Sequence, residues 1–233
     1  MTPKTLLHTS RRQLSVVLAL GAASLLCLAM VAARICLSGA WRYVFLPWNL
    51  FLAWIPLVTS LAAYNAYRHL RLGWLVAPGL ALVWLLFFPN APYMLTDLLH
   101  LQFADNIPLW FDVLLLASFA WTSLLLGCVS LFLMHTLVSR AAGGAAGWLF
   151  ATAVLGLSAF GVYLGRFQRW NSWDLLYRPL TLLADVWERV RHPLSHPQTV
   201  VFSGLLAFFL ITTYLVLVAF AHLPQEAHGT VRD

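Results

Sequence analysis

Residues 72–100 read LGWLVAPGLALVWLLFFPNAPYMLTDLLH. The first seventeen carry no charge, whereas the last twelve hold Asn90, Asp97 and His100. A transmembrane helix needs about 20 mostly apolar residues. The stretch therefore reads as a short span, 72–88, that delivers a polar motif, 89–100, to one membrane face. Pro78-Gly79 inside the run is compatible with a kinked span, because neighbouring helices can re-satisfy freed backbone groups in lipid. The pattern recurs further on, where an apolar run at 146–164 leads into GRFQRWNSWD at 165–174. Two crossings separate the two motifs, so both return to the same face. Asp97, His100 and Asp112 are thereby expected near Arg166, Arg169 and Asp174.

Working outward, the composition names the solvent. The chain is 61% hydrophobic and 9% charged, against roughly 25% charged in ordinary soluble domains. A water-soluble core of 233 residues could not bury so much apolar surface. Apolar segments at about 14–36, 44–66, 72–88, 109–135, 146–164 and 199–222 predict an all-α polytopic transmembrane helix bundle of about six spans, forming a single integral membrane domain over 1–233. The first apolar stretch exceeds the roughly 7–15 residues of a signal-peptide core and reads as an uncleaved helix. Between spans five and six, Leu175–Val190 mixes Leu176, Leu180, Leu183 and Trp187 with Arg178, Asp185, Glu188 and Arg189 at helical spacing. An interfacial amphipathic helix is expected there, with Pro179 in its first turn.

The net charge of +6 is spread singly or in pairs between apolar runs. That distribution suits membrane-flanking anchors and anionic lipid headgroups rather than nucleic acid. Lysines and arginines divide seven against seven between the faces. The basic N-terminus (Lys4, Arg11, Arg12) tips the expectation to a cytoplasmic N-terminus and an extracytoplasmic motif face. Cys27, Cys36 and Cys128 form no CxxC pattern and read as packing residues.

The motif residues carry the chemistry. The prolines of Pro89-Asn90-Ala91-Pro92 are expected to push Phe88 and Ala91 towards extended geometry and end the third span, leaving the Asn90 amide for a ligand or a backbone cap. Helix is expected to resume near Thr96 as a cap. Asp97 and His100, three residues apart, could then let a carboxylate orient an imidazole for proton transfer. Two such residues do not make a metal site without Asp105 or Asp112, and no metal is assigned. Asp112, a turn into span four, is either a functional intramembrane carboxylate or an aspartate favoured by the helix dipole.

Arg166 and Arg169 offer donor forks suited to phosphate or carboxylate, with Asn171, Trp173 and Asp174 beside them. They either grip an anionic substrate or neutralise Asp97 and Asp112 as an ion-pair lock. His135 reads as an interfacial group at the end of span four. No GxSxG, HExxH, P-loop or dinucleotide glycine pattern appears, and no cofactor is expected.

FPNAPYMLTDLLHL, the LWFD opening of span four and VYLGRFQRWNSWDLLYRP resemble a bacterial family of polytopic proteins catalogued as domain of unknown function 1361. The resemblance covers roughly 45–222, most specifically 84–178. It implies an integral protein of a bacterial cytoplasmic (inner) membrane and assigns no reaction to the motif residues.

Three functions fit the residues. One is a membrane enzyme acting on a lipid or lipid-linked anionic substrate, with Asp97 or His100 as base and Arg166 or Arg169 as clamp. Another is a small-solute permease or binding protein. The third is an accessory subunit whose motifs lock helices and dock a protein partner.

Overall fold

In hydrocarbon every backbone N–H and C=O must be satisfied within the chain, and a helix does this locally. The computed structural model describes residues 3–69, 73–101, 107–170, 172 and 174–222, and no strand occurs among them. The helices are α1 (Pro3–Ser38), α2 (Phe45–His69), α3 (Gly73–Phe87), α4 (Asn90–Tyr93), α5 (Leu109–Ala142), α6 (Gly144–Phe167), α7 (Asp174–Tyr177), α8 (Pro179–Arg191) and α9 (Pro197–Ala221). A 3-10 helix, Met94–His100, follows α4. Among the described residues six stretches are long and apolar enough to cross a membrane: Gln13–Ser38, Phe45–Arg68, Leu75–His100, Leu109–Ala142, Gly144–Phe167 and Pro197–Ala221. The outer surface is apolar as well, with Leu25, Leu82, Leu149, Leu205 and Phe208 exposed. These features mark a multi-pass membrane protein.

Helix α5 is the axis of the bundle. Its 34 residues extend about 50 Å at 1.5 Å each, and α1, α2, α4, the 3-10 helix and α6 all pack on it. On one side Leu116 and Phe119 join Leu20 and Cys27 of α1 and Leu46 and Leu57 of α2. On the other, Leu131 packs with Trp84 and Phe88 of the third span, Val154 of α6 and Tyr214 of α9. The Trp84 indole N–H donates to Ser130 Oγ at 3.2 Å, which satisfies a polar group that hydrocarbon could not.

Span four outruns its expected end at 135. Gly143, at φ 93°, makes a one-residue turn into α6, a backbone conformation that glycine adopts without steric cost. His135 is buried between helices, with Nδ1 2.9 Å from the Tyr214 hydroxyl.

The third span also runs further than expected, from Leu75 to His100. Pro89 adopts helical angles (φ −59°, ψ −22°), and Ala91 lies within α4 rather than in extended geometry. Prolines remove hydrogen bonds here, but the freed acceptors find others. The Ala91 N–H donates to the Phe88 carbonyl at 3.1 Å, and the Asn90 amide donates to the Phe87 carbonyl at 2.9 Å. With those acceptors filled, the bias against helix before proline is overridden. Thr96 does not begin a helix as expected. Its hydroxyl bonds the Tyr93 carbonyl at 2.6 Å inside a helical path that is already established.

Close packing fixes this segment on α5. The Ser123 hydroxyl donates to the Ala91 carbonyl at 2.7 Å, and a Cβ added at Gly127 would stand 2.9 Å from Ala91 Cβ. Gly127→Ala should gain about 1 kcal/mol in helix propensity but lose about 1–3 kcal/mol by overpacking. A net fall in thermal stability in detergent is expected, while Gly156→Ala, where nothing lies within 4 Å, should be neutral or stabilising.

The amphipathic segment splits in two. Arg178 takes φ −139° and ψ 52°, and Pro179 opens α8 at its first turn, as the restriction on residues before proline dictates. On α8, Leu180, Leu183, Trp187 and Val190 form an exposed stripe. Leu182, Asp185 and Arg189 are shielded on the opposite side.

Candidate functional site

The two motifs meet. In a 3-10 helix residues three apart eclipse one another, so Asp97 and His100 stack, with Asp97 Oδ1 3.7 Å from His100 Nδ1. Asp97 is 1% exposed. Its Oδ2 accepts from the Asn49 amide of α2 at 3.0 Å, and its Oδ1 pairs with Arg166 Nη2 of α6 at 3.2 Å.

Arg166 is held from several directions. Its Nη2 also reaches the Thr96 carbonyl and, at 3.1 Å, His100 Nδ1. Nη1 donates to the Tyr93 hydroxyl at 3.4 Å, and the guanidinium carbon lies 5.3 Å from the Tyr93 ring centre. One Nη2 carries two hydrogens, yet three acceptors converge on it. A carboxylate, a carbonyl and an imidazole therefore compete for it.

Asp112 goes elsewhere. It is buried one turn into α5, as its position implied, but its partner is Arg34 near the end of α1. Arg34 Nε donates to Oδ1 at 2.8 Å and Nη2 to Oδ2 at 3.1 Å, a bidentate geometry among the strongest available. The two residues are 0% and 1% exposed. The Tyr43 ring lies under the guanidinium at 4.6 Å. Burial, and after it the Asp112 carboxylate, raises the Tyr43 hydroxyl above the ordinary tyrosine pKa, so it remains a neutral donor. That hydroxyl donates to Asp112 Oδ2 at 3.4 Å and lies 3.5 Å from the His100 carbonyl. The expectation of Asp112 beside Arg166 or Arg169 is thus corrected: α1 supplies its counter-ion.

A cavity of about 450 Å³ opens beside the first cluster. Asn49, Asn90, Asp97, His100 and Arg166 contribute its polar wall, and Trp48, Tyr93 and Trp170 its aromatic wall. Asn90 Nδ2 also donates to Ser172 Oγ of the second motif at 3.2 Å. The Trp170 indole N–H donates to Asp185 Oδ2 of α8 at 2.9 Å, and Leu182 of the same helix completes the roof. The His100 ring packs on Phe45 with centres 5.1 Å apart, and its side chain stays 45% exposed. A half-exposed imidazole backed by a buried carboxylate can exchange a proton with a bound group, and the guanidinium beside it can hold an anion.

Arg169 is exposed at φ 60° and turns the chain so that the Trp170 N–H reaches the Leu164 carbonyl at 3.2 Å. Neither Arg169 nor Asp174, which opens α7, contributes to the cavity wall. Asn171, Trp173 and Asp105 lie outside the described residues. Among the described residues no group of three or more His, Cys, Asp or Glu is placed to hold a metal ion. The described cysteines are unpaired, with Cys27 and Cys128 buried and Cys36 exposed.

Four contributors were not singled out from sequence. Arg34 carries a usable signal, a charge inside an apolar span, although its place near the end of that span suits a flanking anchor equally well. Asn49 was an amide inside span two. Tyr93 and Ser172 stood within the quoted motifs without a reason to prefer them.

No curated protein and no solved structure matches the chain. The pattern of the family described as "Protein of unknown function (DUF1361)" matches residues 48–213, a stretch that holds both motifs and, among the described residues, every cavity-lining one except Phe45, and the chain belongs to that family.

Proposed function

We propose that this protein, in a bacterial cytoplasmic membrane, binds the anionic head of a small molecule or lipid in the cavity and acts on it by proton transfer. Arg166 is the anchor, and His100, steadied by Asp97, is the transfer group. The observation that carries the reading is the convergence of three acceptors on Arg166 Nη2 at a cavity wall. An incoming phosphate or carboxylate oxygen is a better acceptor than neutral imidazole. It displaces His100 from the guanidinium and frees that ring to act on the ligand. The charged groups sit at helix ends rather than at mid-membrane, where transporters usually bind their substrates. This favours an interfacial enzyme over a permease.

The cavity face is extracytoplasmic in this reading. Arg34 and Arg166 are internal partners of Asp112 and Asp97 rather than flanking anchors. The seven-to-seven division then becomes five against seven (seven less Arg34 and Arg166), and the larger count lies on the N-terminal face.

A second reading has one observation in its favour. Arg166 is engaged by Asp97, the Thr96 carbonyl and His100, as an ion-pair lock in an accessory subunit would be. Thermal unfolding of the detergent-purified full chain with phosphate- and carboxylate-headed ligands separates the two. A rise in melting temperature for wild type and His100→Ala, absent in Arg166→Ala, is expected for the anion site. An unchanged melting temperature with every ligand would leave the lock.

A further inference from the structure

The cavity changes character along the helix axes. On α6, Arg166 lies at the end of the bundle, while Gly161 lines the cavity five residues earlier, roughly 7 Å deeper at 1.5 Å per residue. On α2, Asn49 stands at the polar end, and Leu52 lines the wall one turn further in. The third span repeats the order, with His100 at the polar end and Leu86 at the other. Asp97, His100 and Arg166 thus sit at the membrane face, Asn90 lies further in beside Pro89, and Leu52, Leu86 and Gly161 line the inner end.

The flank of the cavity is open to the outside of the bundle. Trp48 lines it and yet is 55% exposed, with Phe51, also exposed, beside it at a ring distance of 5.5 Å. Helices α2 and α6 both pack on α5 but make no extensive contact with each other. At the inner end Gly161 lets α6 approach the third span closely, since a Cβ there would come within 3.2 Å of Pro89 Cγ. Over the mouth, α8 offers Leu182 to the cavity and turns its exposed stripe away from it. A helix with such a stripe lies at headgroup level, the depth at which lipid phosphates are found.

We infer that the ligand is a membrane lipid with a phosphate-type head. The head sits against Arg166 and His100, and one hydrocarbon chain enters by the open flank beside Trp48 and runs inward along Leu52, Leu86 and Gly161. This rests on the reading of the cavity as an anion site and adds the source of the anion. A water-soluble phosphate fills the polar end alone and leaves the apolar end unpaid in contacts. The chain arrives from hydrocarbon rather than from water, so it gains packing contacts along the apolar end and brings the head to the site from within the membrane, with no hydrophobic transfer term.

The test uses the full-length protein in detergent micelles with lysophosphatidate, glycerol phosphate and inorganic phosphate, followed by a lysophosphatidate bearing a diazirine on its chain. Lysophosphatidate is expected to raise the melting temperature by several degrees, and the two soluble anions are not at equal concentration. Photo-adducts are expected on the peptides holding Leu52, Leu86 and Gly161, and unlabelled lysophosphatidate should compete them away. Leu52→Trp and Leu86→Trp fill the apolar end, and either variant, if it melts like wild type, should lose the adduct. Equal stabilisation by inorganic phosphate, abolished in Arg166→Ala, would overturn the lipid inference while leaving the anion site standing. No stabilisation by any of the three, with adducts scattered over the outer surface, would overturn both.

Discussion

Arg34→Ala is expected to cost about 3–5 kcal/mol of stability, the usual consequence of removing one member of a buried ion pair. The guanidinium is fully buried and binds both Asp112 oxygens. Without it a carboxylate remains one turn into a bundle helix, with the Tyr43 hydroxyl as its remaining described hydrogen-bond donor at 3.4 Å. Unfolding in detergent should show the loss as a large fall in melting temperature. Arg34→Met combined with Asp112→Leu should recover most of it, because well-packed apolar residues often replace a buried pair at little or no cost. Equal instability of the double variant would mean that the pair contributes more than the cost of its own separation. The same variants probe the neighbouring site, since Tyr43 joins this pair to the His100 carbonyl. Loosening α1 should therefore also weaken ligand binding.

The second large effect is expected at Arg166. Arg166→Ala leaves the Asp97 carboxylate, 2% exposed as a side chain, with Asn49 and His100 for company. A loss of about 3 kcal/mol is expected, at the lower end for a buried pair because the Arg166 side chain is itself 12% exposed. Adding Asp97→Asn removes the stranded charge and should restore part of the stability, with a coupling of about 1–3 kcal/mol in a double-mutant cycle. Ligand response separates function from scaffolding. If the double variant regains its melting temperature yet ignores phosphate-headed ligands, the cluster is a working site. If stability and ligand response return together, the guanidinium is not the anchor and the proposed function fails.

Most of the architecture was legible in the chain because lipid simplifies the problem. A span must be apolar for about 20 residues, and helix is the only local way to satisfy its backbone. The six spans and the meeting of the two motifs at one face followed from that length rule and from counting crossings. The errors fell where local rules were overridden by contacts. Proline predicted a break at 89–92, but the Asn90 amide and the Ala91 N–H re-satisfied the freed carbonyls. Gly143 allowed a turn so short that span four continued to Ala142.

The site shows the same division. Asp97 and His100 were readable as a pair because three residues is a helical neighbour distance in either helix type, and Arg166 was readable as their neighbour on one face. Which carboxylate met which arginine was not readable, because an ion pair depends on which helices are adjacent and how each is rotated. Crossing order places charges at a face without fixing either. Sequence alone therefore determined the solvent, the helical class, the spans and the polar end of the bundle. Tertiary structure alone decided that α5 would be the axis, that Arg34 would take Asp112, and that Arg166 would be left to Asp97 and His100 beside a cavity. The physical reason is that hydrophobic burial sums along a segment, whereas a hydrogen bond needs two particular atoms within about 3 Å.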